Sequence, residues 1–396
     1  MHDIQLSVVR NGLRFPIQGQ VAPGFEAFVQ AFVANFRYDE DQGASAAAYV
    51  GGQRVAWLWG GYRDAALTRP WAEDTLVCTM SVGKAIAATG VHWLVEQGVL
   101  DLDRPVAHYW PEFGAAGKAS VLLRWVLDHR AGVPALDVEA PPGALYDWDW
   151  MTRQIARQAP EWPPGEVAAY HVLTQGFILG EVVRRAAGRT LAEVVRTELA
   201  GPLGADFHFG VGAQDLARCA EVLPMTEPRG TMFDREAHPR SGVLWRGALQ
   251  LFGEHPFNTE AYRRAEITSA NGHSHGLGLA TLFGMLGNGG ELGGRRLLSA
   301  TTIARMASVQ HTQVERAQGR PYRQGLGVLG TSYPATWFGP GERSFGHHGV
   351  GGSVGFADPE RRLGFGYATA KFHSRGDTGT RSRRLAEAVY AALDER

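Results

Sequence analysis

The sequence predicts an α/β plus all-α architecture, in which a sheet domain assembled from both ends of the chain carries a mainly helical insertion. Strand-like segments lie before about residue 62 and after about residue 325, whereas residues from about 85 to about 310 place apolar side chains mostly at helical spacing. The 396 residues, 44% of them hydrophobic, suffice for two large cores. The expected boundaries are 1–84 with 311–396 for the sheet domain and 85–310 for the helical domain. A cleft between two such domains is where a small-molecule site belongs.

The elements follow in order. Phe25, Phe28, Phe32 and Phe36 recur at helical spacing within residues 24–38, so the chain is expected to begin with an amphipathic helix. Residues 44–50 and 53–62 alternate like strands around Gly51-Gly52, which can supply the positive φ of a two-residue hairpin turn. Residues 85–100 have a helical pattern with Gly98 as its stop. A further helix over 174–187 ends on Gly188, and Thr190 with Glu193 forms a capping box that opens the next. Strands are expected again at 325–330, 352–358 and 362–370, and a helix from about Asp377 to Leu393 closes the chain.

Composition narrows the partners. A net charge of −1 argues against a nucleic-acid partner. The chain has no run of about 18 apolar residues, and its first twenty residues lack a secretory pattern, so a cytoplasmic protein with no membrane partner is expected. Cys78 and Cys219 are too few for a disulfide framework or a structural zinc site, and buried thiols are expected.

Ser81 and Lys84 are the most informative residues. Of the 39 basic residues only Lys84, Lys118 and Lys371 are lysines. Arginine stays protonated, whereas a desolvated ammonium can lose its proton and serve as a base. Ser81 stands where an extended segment, 75–80, meets the helix. There, free backbone N–H groups and the helix dipole favour a developing oxyanion, and positions 81 and 84 share a face. Downstream, Tyr170 follows a Pro-Gly turn before a helix, and His347 and His348 lie on a glycine-rich strand edge. Both segments can deliver groups to such a serine.

These residues, together with AWLWGGYRD (56–64), RPWAEDTL (69–76), LVEQGVLDLDRPV (94–106), LDHRAGVP (127–134), AGPLG (200–204) and GHHGVGG (346–352), give the chain a clear likeness. It resembles the S-x-x-K serine hydrolases related to class C β-lactamases and low-molecular-weight penicillin-binding proteins, most closely the β-lactamase-like carboxylesterases called family VIII. The resemblance implies a β-lactamase/penicillin-binding-protein-like fold. It implies an acylated Ser81, Lys84 and Tyr170 exchanging its proton, and an oxyanion hole made by the backbone N–H groups of Ser81 and Val350.

Two departures bear on the substrate. The Y-x-N motif of the lactamases reads Tyr170-His171-Val172, and valine cannot hydrogen-bond a lactam side chain. K-T-G is replaced by His347-His348-Gly349, which exchanges a fixed cation for an imidazole. Losing a charge-assisted contact of about 1.5 to 3 kcal/mol weakens carboxylate recognition by roughly one to two orders of magnitude. Small, short-acyl carboxylic esters are therefore the expected substrates. Lactamase, D-amino-acid peptidase or amidase activity, acyl transfer and a non-turnover acyl sensor are the alternatives.

His347, His348, Gly349, His171 and Trp148 are the candidate substrate contacts, with Trp150, Met151, Phe233 and Trp245 as further aromatic or apolar lining. Ser274 and Ser353 sit in G-x-S-x-G strings without the strand-to-helix context of a nucleophile elbow. His273 and His275 are expected in a loop and Lys118 and Lys371 at the solvated surface. Neither metal nor cofactor is implied.

Overall fold

A computed structural model describes residues 1–39, 41–225, 234–253, 256–373 and 379–395. Its frame is a nine-stranded antiparallel sheet of β1 (His2–Arg10), β2 (Leu13–Val21), β3 (Gly43–Val50), β4 (Gln53–Gly61), β5 (Arg323–Gln324), β6 (Leu329–Gly330), β7 (Phe345–His348), β8 (Val354–Asp358) and β9 (Leu363–Thr369). The spatial order is β1-β2-β4-β3-β9-β8-β7-β6-β5. The two ends of the chain meet where β3 pairs with β9, from Leu363 opposite Val50 to Thr369 opposite Ala44. This is the expected sheet from both termini.

Helices cover both faces. α1 (Glu26–Tyr38) buries Phe28, Phe32 and Phe36 and packs with the C-terminal α5 (Gly379–Asp394). On that face Tyr390 of α5 donates to Asp358 at 2.8 Å, and the buried Asp41 carboxylate pairs with Arg381 at 3.2 Å. The other face is covered by α4 (Gly276–Gly287), seated on glycines of β8 and β9. A Cβ on Gly364 would lie 2.1 Å from the backbone nitrogen of Gly284, so only glycine lets helix and strand approach this closely. The remaining long helices, α2 (Val82–Glu96) and α3 (Thr174–Ala187), pack on each other within the insertion. No helix among the described residues is long and apolar enough to cross a membrane.

The expected hairpin forms around Gly51 (φ 56°) and Gly52 (φ 79°), and the capping box of Thr190 and Glu193 is present. α3 ends on Gly188 in the left-handed conformation. Three expectations change. The chain begins with the β1–β2 hairpin and not with α1. Its turn is Asn11-Gly12, both at positive φ (52° and 77°), a pair with strong hairpin preference. The strand expected over 325–330 shortens to β6, because Gly325 and Gly327 enter a turn. α4 lies inside the segment assigned to the helical domain yet packs on the sheet, so the chain returns to the sheet layers near residue 276 and not at 311. The expected helix start at Asp377 lies outside the described residues.

Candidate active site

Ser81 is held from below by backbone. The short strand Val77–Cys78 pairs with His273–Ser274, and the Thr79 N–H and hydroxyl both donate to the Gly272 carbonyl, at 2.7 and 2.8 Å. Met80 takes a left-handed φ of 51° and turns the chain so that Ser81 occupies the N-cap of α2. The Ser81 side chain makes no capping bond, which leaves its hydroxyl to face a cavity of about 140 Å³.

Lys84, one turn along α2, is 2% exposed. Its Nζ donates to the carbonyls of Val172 and Ser269, both at 2.7 Å, and stands 3.5 Å from Ser81 Oγ. Burial pushes its pKa well below 10.5, because the charged form loses hydration. A neutral amine has two N–H groups and one lone pair. With both N–H groups engaged by carbonyls, the lone pair is left for the Ser81 hydroxyl.

Tyr170 completes the triangle, with its ring centroid 4.8 Å from Lys84 Nζ. Burial raises the phenol's pKa, and its hydrogen bond with Ser81 acts in the opposite sense. A high-pKa phenol next to a low-pKa amine means that, at neutral pH, the tyrosine holds a proton to give and the lysine has room to accept one. Neutral imidazoles surround the pair. His129 lies tilted against Tyr170 with ring centroids 4.6 Å apart, and His171 stacks on His129 at 5.6 Å. Burial pushes the pKa of His171 down to about 4 and that of His129 well below its usual 6.5.

The backbone N–H groups of Ser81 and Val350 belong to residues lining the same cavity, and neither donates to another described protein atom. Gly349 makes this approach possible. A Cβ there would sit 2.2 Å from the Thr79 carbonyl, so the turn after β7 can press against the loop before Ser81 only with glycine. Gly349 thus positions Val350 and does not line the cavity.

Of the other candidate substrate contacts, His348 does line it. Its Nδ1 makes no bond among the described residues, and burial lowers its pKa to about 3, leaving a neutral ring. His347 is buried behind the wall with Nδ1 donating to the His348 carbonyl at 2.7 Å, and its ring faces Tyr170. His171 is also behind the wall, with Nδ1 donating to the Ala169 carbonyl at 2.6 Å. Trp148 lines a different cavity, near Phe177 and Ile267, because its indole N–H donates to Glu181 at 2.9 Å. Met151 is core, and Trp150 and Trp245 do not line the Ser81 cavity; Phe233 lies outside the described residues.

The decoy serines are occupied. Ser274 donates to the Asp206 carbonyl at 2.7 Å, and Ser353 accepts the Thr369 N–H at 3.3 Å. His273 and His275 are not loop residues: the first is in a short buried strand and the second caps α4. Among the described residues no three His, Cys, Asp or Glu side chains gather as a metal-holding group. Both cysteines are free and buried. Lys118 is no surface charge either. It is fully buried and donates to the carbonyls of Ala115 and Ala156 at 2.9 and 3.1 Å, with its pKa lowered to about 8 by desolvation. Lys371 is half-buried and donates to the Pro224 carbonyl at 2.8 Å.

Sequence reasoning missed Glu315, Arg320 and Tyr322. The Glu315 carboxylate accepts the N–H groups of Tyr170 and Ala317, each at 2.8 Å, and of Gln318 at 2.7 Å. Arg320 and Tyr322 line the cavity with Phe252 and Leu244. His129 lay within a quoted segment, LDHRAGVP, without being singled out.

Known proteins resemble this chain over most of its length. Residues 26–390 match the family model described as Beta-lactamase. LipL of Mycobacterium tuberculosis, described as an esterase/beta-lactamase, is 34% identical over 371 residues, which span 90% of this chain and 82% of that protein. The crystal structure of a family VIII carboxylesterase shares 38% identity at a TM-score of 0.88, covering 95% of this chain and 100% of that one. A penicillin-binding protein homologue from Caulobacter crescentus shares 33% identity at a TM-score of 0.85, with coverage of 95% and 100%. Matches of this extent show that this chain belongs to the Beta-lactamase family, as a serine hydrolase of the esterase/beta-lactamase type.

Proposed function

We propose that the protein is a serine carboxylesterase that hydrolyses small, short-acyl esters through an acyl-enzyme on Ser81. The observation that carries this reading is the Ser81–Lys84 pair: a hydroxyl 3.5 Å from an amine whose burial favours its neutral form. Lys84 takes the Ser81 proton as Oγ attacks the ester carbonyl, and the oxyanion forms against the N–H groups of Ser81 and Val350. Tyr170 protonates the leaving alkoxide and regains its proton from Lys84. Water then attacks the acyl-enzyme by the same route in reverse, releasing the acid. The small cavity and its apolar wall of Met80, Val172, Met225, Leu244 and Phe252 suit short acyl chains.

No cofactor is required. By motif, His347 takes the place of the K-T-G lysine of the lactamases, and burial behind the wall keeps its imidazole neutral, so no cation stands at that position, which favours esters over lactams as substrates. The test compares 4-nitrophenyl butyrate with the cephalosporin nitrocefin. Faster ester turnover that is lost in Ser81→Ala supports the reading; nitrocefin turnover exceeding ester turnover would replace it with a lactamase.

A further inference from the structure

The cavity that Ser81 faces carries one fixed charge. Among the described residues lining it, Arg320 is the only arginine or lysine, His238 and His348 are imidazoles, and no carboxylate is among them. The position is built. The backbone of residues 315–320 closes on itself, with the Glu315 N–H donating to the Arg320 carbonyl at 3.0 Å and the Gly319 N–H to the Glu315 carbonyl at 3.0 Å. The Glu315 carboxylate then accepts the Arg320 N–H at 3.4 Å while holding the Tyr170 N–H at 2.8 Å. One buried carboxylate thus sets both residues in the same wall. Arg320 also bonds the Tyr322 phenol; burial raises the pKa of Tyr170 and Tyr322 and the guanidinium charge opposes that rise, while at His348 it adds to the lowering by burial, so its field reaches the residues around Ser81.

The exchange of the K-T-G lysine for His347 on the sheet edge removes a cation, but Arg320 brings one to the cavity from a different element. A guanidinium in a wall otherwise made of apolar groups, phenols, a hydroxyl, an amide and imidazoles favours an anion, because a carboxylate can take paired N–H donors from it. Resting on the esterase reading above, we infer that Arg320 is a specificity-determining residue that selects esters bearing a carboxylate. Hydrolysis of such a substrate breaks its acyl C–O bond, takes the hydroxyl from water, and leaves the second carboxylate untouched. Monoesters of dicarboxylic acids are the simplest members of the class.

The experiment uses two anionic esters, each beside its neutral methyl ester: 4-nitrophenyl hydrogen adipate, charged on the acyl side, and 3-(butyryloxy)benzoate, charged on the alcohol side. The wild-type ratio of kcat/KM, anionic over neutral, should exceed one for at least one pair and fall as salt rises. In Arg320→Gln that ratio should drop about 10- to 100-fold, and Arg320→Lys should restore part of it. A ratio that is unchanged in Arg320→Gln, or a wild-type ratio at or below one for both pairs, overturns the inference. Should Arg320→Gln not fold, the wild-type ratios, their salt dependence and Arg320→Lys decide.

Calorimetric binding of monomethyl and dimethyl adipate to Ser81→Ala separates this inference from the esterase reading. Preferential binding of the monoester without any wild-type ester turnover would leave Arg320 as an anion site and remove the esterase. Equal binding of both would remove the anion site whatever the turnover.

Discussion

The carboxylate of Glu315 accepts the backbone N–H of Tyr170 at 2.8 Å across 145 residues of sequence. Three further N–H groups, from Ala317, Gln318 and Arg320, converge on the same carboxylate. Removing it strands the buried Tyr170 N–H, at a cost of about 1 to 3 kcal/mol when unpaired, together with three half-buried donors. Glu315→Ala should therefore lose roughly 3 kcal/mol of stability and, where still folded, at least about tenfold in kcat as Tyr170 loses its anchor. Urea unfolding and ester kinetics on the same preparation check both.

Lys84 must shed its proton to serve as a base, and arginine cannot do so at ordinary pH. Lys84→Arg should lower kcat/KM by about 10³-fold or more, since loss of a general base costs roughly 10² to 10⁴. The wild-type profile of kcat/KM should rise with pH through a pKa well below 10.5, because only the neutral amine accepts the Ser81 proton and desolvation favours that form. Substantial turnover by Lys84→Arg would remove the base role.

The buried histidines make a prediction about acid. His171 is neutral when folded, with a pKa near 4, and takes up a proton below 6.5 when unfolded. Its contribution to stability is fully present above 6.5 and is lost as pH falls toward 4, at about 1.4 kcal/mol per pH unit. His171→Gln should thus show a shallower loss than wild type across that window, by about 3 kcal/mol in all. Parallel urea unfolding curves at pH 7, 6, 5 and 4 would measure the difference.

Gly349→Ala tests the oxyanion geometry. The added carbon would meet the Thr79 carbonyl at 2.2 Å and must push Val350 away from Ser81. Losing one oxyanion donor costs about 10² to 10³ in kcat. A drop of that size with little change in KM is expected; unchanged kcat would show that Val350 contributes no donor.

Much of this was legible in the sequence because it rests on local rules. Ser81 and Lys84 share a helix face by spacing alone, and Gly51-Gly52 and Thr190-Glu193 declare a turn and a cap. What stayed hidden depends on contacts distant in sequence. Nothing near Glu315 says that it will meet Tyr170, and Arg320 reads as one arginine among many until residues 315–320 fold against the cavity. Trp148 misled because an aromatic next to a cleft looks the same whether it faces substrate or, as here, donates to Glu181 beside a second cavity. Lys118 misled in the opposite sense: a lone lysine looks solvated until backbone carbonyls surround it. Asn11-Gly12 is itself a local hairpin signal, and it places two strands ahead of α1.

The most direct test of the central claim is the intact mass of the protein quenched during turnover of 4-nitrophenyl butyrate, followed by peptide mapping. One butyryl group on the peptide containing Ser81, absent from Ser81→Ala, is the expected result. Acylation of any other residue, or undiminished turnover by Ser81→Ala, would contradict it.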